Sequence, residues 1–178
     1  MFNISSLFTR SEQLEEIYIF KNFLNSNERS LVLENIKNHK FNKASQFSMG
    51  RNNKEIFTQD EKLKLFIAEK TQNADNLGII VHKFTEPLEF YRYDSGDFIK
   101  AHTDAPRIFN NSQQSNYTAI IYLNDNFDGG YTYFNDLDRT VEPEKGLLLL
   151  FKHSLKHEAL KVNNGVKYIY RSNWLISR

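Results

Sequence analysis

The chain has 178 residues, a size that fits one hydrophobic core; 40% are hydrophobic and 25% charged, and a net charge of +1 supplies no bulk field to recruit nucleic acid or an anionic membrane. It contains no cysteine, which excludes a disulfide framework and any thiolate metal site, so a metal would have to be held by His, Asp or Glu. No basic start with a sustained apolar run opens the chain, and no stretch reaches the ~18 apolar residues of a membrane span, so the expectation is a cytoplasmic protein.

The N-terminal third reads as strand, helix, loop, helix. Residues 16–20 (EIYIF) are a short apolar run of strand type. Asn25 and Glu28 have the spacing of a capping box, and Val32, Leu33 and Ile36 follow at helical spacing, which predicts a helix over 26–38. A polar loop with Arg51, Asn52 and Asn53 comes next. Thr58 with Glu61 repeats the capping-box pattern ahead of a helix carrying Leu63, Phe66, Ile67 and Lys70.

From residue 78 the pattern changes to short β-type runs at 78–83, 88–93, 117–123, 130–134, 146–151 and 167–176. Turn signals separate them at 94–96, 124–130, 142–143 and 163–165. The Leu147-Leu148-Leu149-Leu150 run is short and follows Pro143 and Gly146, which favours a strand buried on both faces. Together these predict a mainly β fold with α, a jelly roll (double-stranded β-helix) flanked by N-terminal helices. Residues 1–77 would be helical support and 78–178 the jelly-roll core of a single domain.

The chemistry centres on His102-Thr103-Asp104. On a strand, residues two apart share a face, about 6–7 Å apart, so an imidazole and a carboxylate could take adjacent positions on one metal. A second His from a distant strand would complete a three-ligand face with open positions, the arrangement of non-haem Fe(II) oxygenases. Without thiolates, iron or manganese chemistry is the natural reading. His153 and His157 both precede the last strand.

The residues around this motif carry a resemblance. Segment 90–104 (FYRYDSGDFIKAHTD) resembles the prolyl-4-hydroxylase-like 2-oxoglutarate/Fe(II) oxygenases, in which a Tyr-x-x-Gly turn leads into His-x-Asp. Segment 118–124 looks like that family's next strand, 127–134 (FDGGYTYF) its Gly-Gly-x-Thr-x-Phe hairpin, and 141–146 (VEPEKG) its Pro-x-x-Gly turn. Segments 151–158 and 162–168 match the distal-His stretch and the basic residue ten positions beyond it.

The resemblance implies iron ligation by His102, Asp104 and His157, with His153 a polar residue near the rim. It implies that Lys167 pairs with the far carboxylate of 2-oxoglutarate, assisted by the Tyr122 hydroxyl, with Tyr93 contacting the cosubstrate near the iron. A buried dianion needs a fixed cation. Arg171, on the same face of the strand and about 13 Å farther along, is the rival for that role or a substrate contact. Arg51, Asn52 and Arg107, in the loops at 51–53 and 105–116, are further candidate substrate contacts. The implied cofactors are Fe(2+), 2-oxoglutarate and O2, with ascorbate in support. The implied activity is hydroxylation of an unactivated C–H bond, foremost of a prolyl residue in a protein or peptide. The alternatives are an oxygenase acting on a free amino acid or other small metabolite, a metalloenzyme without 2-oxoglutarate, and a non-catalytic jelly-roll metal-binding module. The loops hold no stacking platform or Lys/Arg stripe, so neither nucleic acid nor a membrane is an expected partner.

Overall fold

Residues 117–123 and 147–151 are almost uniformly apolar. A strand of that kind has no polar face to give to water and must be covered on both sides. In the computed structural model, which describes residues 10–14, 16–44 and 50–177, both become central strands. In chain order the elements are β1 (Arg10–Leu14), β2 (Ile17–Phe20), α1 (Ser26–Lys37), β3 (Asn42–Lys43), β4 (Lys54–Thr58) and α2 (Glu61–Gln72). A 3-10 turn at Asn73–Leu77 leads to β5 (Ile80–Phe84), β6 (Leu88–Tyr93), β7 (Ile99–His102), β8 (Ile108–Asn110), β9 (Gln113–Gln114) and β10 (Tyr117–Tyr122). Next are β11 (Phe127–Gly129), β12 (Thr132–Phe134), β13 (Arg139–Val141), β14 (Leu148–Lys152), β15 (His157–Ala159), β16 (Val162–Gly165) and β17 (Lys167–Ser177).

The major sheet runs β1-β2-β14-β10-β17-β6-β4-β3, with β5 pairing the C-terminal half of β17. The minor sheet runs β13-β12-β15-β7, and β11–β16 and β8–β9 form two short ribbons. Alternation along the central strands divides the interior in two. Ala119, Ile121, Leu148, Leu150, Tyr170 and Trp174 pack with Val32 and Ile36 of α1 and Leu63 and Ile67 of α2. Their neighbours Ile120, Tyr122, Leu149, Phe151 and Ile169 pack with Phe134 and Val141 of the minor sheet. The expected jelly roll flanked by helices is what the chain forms, and the site lies in its inter-sheet layer. No helix of the described residues is long and apolar enough to cross a membrane.

Local chemistry explains the boundaries. Asn25 caps α1 through the predicted box: its Oδ1 accepts from the Glu28 amide and the Glu28 carboxylate accepts from the Asn25 amide. At α2 the cap is Asp60, not Thr58: Asp60 Oδ1 accepts from the Leu63 amide at 2.8 Å. Thr58 ends β4 and its hydroxyl accepts from the Asp60 amide. Two capping-competent residues stand two apart, and the carboxylate nearer the helix wins. The N-terminal third also supplies more than helices, since β2 pairs β14 and β4 pairs β6 in the major sheet. Strand β4 (KEIFT) has only Ile56 and Thr58 buried, a polar composition that hides an edge-side strand. Residues 163–165, expected as a turn, lie in β16, and the chain turns at the last of them, Gly165, where φ is +88°.

Gly146 shows how tightly the N-terminal segment is joined to the barrel. Its φ is +81°, its amide donates to Tyr122 O, and its carbonyl accepts from the Leu24 amide. A Cβ there would sit 2.1 Å from Leu24 O. We therefore expect Gly146→Ala to destabilise the fold by about 2–4 kcal/mol, combining the left-handed backbone cost with displacement of the Leu24 turn. A thermal melt would fall by roughly 5–15 °C; an unchanged melting temperature would contradict this account.

Candidate active site

His102 and His157 are directly opposed on the antiparallel pair β7–β15, with ring centroids 4.4 Å apart. Strand β7 ends at His102, so simple alternation does not carry Asp104 to the same face. Asp104 is instead drawn back by its amide, which donates to His153 O at 3.1 Å. Its Oδ1 lies 3.6 Å from His102 Nε2 and its Oδ2 3.7 Å from His157 Nε2. One ligand atom from each of the three residues falls within 4.8 Å of the others, and among the described residues no other such group of His and carboxylate occurs.

The tautomers are set by the backbone. His102 Nδ1 lies 2.9 Å from Lys100 O and His157 Nδ1 3.0 Å from Leu155 O. A carbonyl only accepts, so each Nδ1 carries a proton, which leaves Nε2, the atom facing Asp104, as the one that can ligate a metal. Burial beside Phe134 and Phe151 pushes His157 down to about 4, which keeps its Nε2 lone pair free at neutral pH. Burial opposes ionisation of Asp104, but the adjacent His102 and the Arg171 charge outweigh it and hold the carboxyl well below its usual range, and the same carboxylate raises His102 above the ordinary histidine value. Two imidazoles, each able to ligate through a deprotonated Nε2, and one carboxylate on one face are the donor set that fits Fe(II).

Asp104 is held on both oxygens. Arg171 Nη2 reaches Oδ1 at 2.9 Å, and the Thr118 hydroxyl donates to Oδ2 at 2.5 Å. The other arm of Arg171 lies 3.4 Å from Glu89 Oε2, and Glu89 also accepts from the Tyr91 hydroxyl. Burial opposes the Arg171 charge, but these two carboxylates raise its pKa and keep it protonated.

All three residues line one cavity of about 620 Å³, together with Lys167, Tyr93, Thr132, Arg51 and Arg107. Lys167 is 1% exposed, its Nζ donates to Gly130 O at 2.5 Å, and it stands over the rings of Tyr93 (4.9 Å) and Tyr122 (5.3 Å). No carboxylate pairs with it among the described residues, and burial pushes it down to about 7. A buried ammonium with donors to spare at one end of a cavity fits the far carboxylate of a dicarboxylate. The Tyr122 hydroxyl bonds Thr132 Oγ1 at 2.7 Å.

The remaining sequence-predicted residues divide. Arg51 lines the cavity, stacked over Tyr91 and bonded to Asn53 and Glu55. Arg107 is exposed at the cavity mouth. Asn52 does not line it: its amide accepts from Phe98 N and donates to Gly96 O, fixing the turn before β7. His153 is not a rim residue, being buried and bonded to both Ser115 and Thr118. Sequence reasoning missed Thr118 and Glu89 as partners of the site. Thr118 shares a face with Tyr122, and Glu89 is the lone carboxylate in the apolar run 88–91; both were visible signals.

The comparisons with known proteins agree with this geometry. The model of the 2OG-Fe(II) oxygenase superfamily matches residues 88–175. No curated protein matches the sequence. Among solved structures, a Pseudomonas putida prolyl-4-hydroxylase is 20% identical with a TM-score of 0.67, over 90% of this chain and 92% of that one. The collagen prolyl hydroxylase of Paramecium Bursaria Chlorella virus-1 in its 2OG complex is 20% identical with a TM-score of 0.60, over 91% and 96%. A Trichoplax adhaerens prolyl hydroxylase, in complex with a hypoxia inducible factor peptide fragment, is 20% identical with a TM-score of 0.67, over 90% and 83%. At these identities the structures share the fold, and it is residues 88–175, from β6 to the end of the barrel, that make this chain a member of the 2OG-Fe(II) oxygenase superfamily, with Fe(2+), 2-oxoglutarate and O2 as its cofactors.

Proposed function

We propose that this chain hydroxylates an unactivated C–H bond, foremost that of a prolyl residue in a protein or peptide. The observation that carries the reading is the pairing, in one cavity, of two imidazole Nε2 atoms and Asp104 with a buried Lys167 that has no carboxylate partner among the described residues. When bound, the iron and 2-oxoglutarate supply the oxidising chemistry, with succinate and carbon dioxide as the cosubstrate's products. The protein's part is to bind, orient and exclude water. His102, Asp104 and His157 hold the iron, and their tautomers and rotamers are set before it arrives. Lys167 fixes the far end of 2-oxoglutarate, with Tyr93 lining that end and Tyr122 packed behind the ammonium, its hydroxyl on Thr132 rather than in the cavity.

Arg171, the other cation considered for this role, already spans Asp104 and Glu89, which supports Lys167 as the dicarboxylate partner. The prolyl assignment draws on the prolyl hydroxylases that share the fold and on the loop at 105–116 beside the cavity mouth. A second reading is a free amino acid or other polar metabolite, favoured by the charged wall of Arg51, Glu55, Glu89 and Arg171.

Three outcomes test these assignments. His102→Ala should reduce succinate formation from 2-oxoglutarate, measured with Fe(II) and ascorbate, to background; normal turnover would refute the iron site. Mass spectrometry of peptide and metabolite libraries should find a +16 Da product on a prolyl peptide, and a product confined to free amino acids would favour the second reading. The third outcome is a pH dependence. Free Lys167 titrates near 7, below its ordinary value, and a dianion binds its protonated form. Cosubstrate affinity with saturating Mn(II) should therefore fall as pH rises above 7, by up to about tenfold per unit. Lys167→Met should bind weakly at every pH, and a flat wild-type profile would show that another cation holds the carboxylate.

A further inference from the structure

The Thr118 contact is the last link of a hydrogen-bond chain whose directions are all determined. A carboxylate accepts, so the Thr118 hydroxyl donates its proton to Asp104 Oδ2. Thr118 Oγ1 must then accept from His153 Nδ1, 2.9 Å away, which fixes the His153 tautomer. With the proton on Nδ1, His153 Nε2 is an acceptor and takes the Ser115 hydroxyl proton at 2.8 Å. Ser115 Oγ in turn accepts from the Arg107 amide at 2.8 Å. Every member has its donor and acceptor used once, and none can reverse while Asp104 is a carboxylate and Arg107 an amide. Ser115, Thr118 and His153 are all buried.

The geometry points to Thr118, His153 and Ser115 as positioning residues that couple the 105–116 loop at the cavity mouth to the iron ligand Asp104. The proposal rests on the iron-site reading above. Fixed polar chains in a low-dielectric interior act as units, because loss of one link leaves the next group unpaired. Partners that orient a ligating carboxylate commonly control metal affinity by 10–100-fold. The loop end of the chain is the amide of Arg107, whose side chain stands at the cavity mouth, so the state of the metal ligand and the setting of the mouth share one set of bonds.

The test uses Co(II) titration by visible absorption and, with Zn(II), amide exchange at Arg107 by NMR. Thr118→Val and His153→Leu should weaken Co(II) binding by roughly 10–100-fold. Thr118→Ser and His153→Asn, which keep the hydroxyl and the donor to it, should stay within about threefold of wild type. Zn(II) should slow Arg107 amide exchange in the wild type but not in His153→Asn, which keeps metal affinity but has lost the acceptor for Ser115. A merely structural His153 would not separate these two readouts. Should His153→Leu fail to fold, Thr118→Val decides the affinity arm. Wild-type Co(II) affinity in Thr118→Val, or metal-linked protection of Arg107 that survives in His153→Asn, would overturn the coupling. Wild-type protein that binds Co(II) no better than His102→Ala would overturn the iron site itself, and the coupling with it.

Discussion

The architecture turns on one strand that has to serve two interiors. β17 runs through the major sheet between β10 and β6 and is covered on both faces. One face, with Tyr170 and Trp174, belongs to the helix-backed core, where apolar packing alone is asked of it. The other, with Lys167, Ile169, Arg171 and Asn173, looks into the inter-sheet cavity and carries its cations. Strand alternation keeps the two demands from interfering. A one-residue slip would put an ammonium and a guanidinium into the helix-side core and two aromatic rings into the cavity, so register is fixed by the high cost of an unpaired buried charge.

Much of this was legible in the sequence because the barrel strands carry strong local signals. The apolar runs of β10 and β14 and the His-x-Asp and Gly-Gly elements stand out in a chain with few glycines and no cysteine. The helix at 26–37 announced itself through Asn25 and Glu28, whose two bonds are both made. Legibility failed where polar residues do structural work. Strand β4 is mostly Lys, Glu and Thr, and nothing in that composition shows that the neighbouring β6 recruits it. Asp60 displaced Thr58 as a cap by one hydrogen bond, a margin below what spacing can resolve.

The site shows the same division. His102 and Asp104 were found as a pair by a strand argument, although the strand stops at the first of them and a backbone bond to His153 places the second. His157 could be separated from His153 by family resemblance but not by local pattern, since both precede the last strand. What no local pattern conveys is how the groups around Asp104 meet. Arg171, Glu89, Thr118 and His153 come from four different strands or their ends, and their convergence is a property of tertiary register.

One feature of the cavity bears on how it fills. Arg171 lies between two carboxylates, Asp104 and Glu89, leaving that cluster with a surplus of one negative charge. With iron and 2-oxoglutarate held as proposed, the divalent ion, the guanidinium and a protonated Lys167 balance the two carboxylates and the dianion, so this set of groups is neutral with both guests in place, as it is with neither. Either guest alone leaves two charges of one sign uncompensated in that set, which the other guest would offset. Filling the second place restores the balance that the first disturbs, and each guest becomes the counterion that makes room for the other.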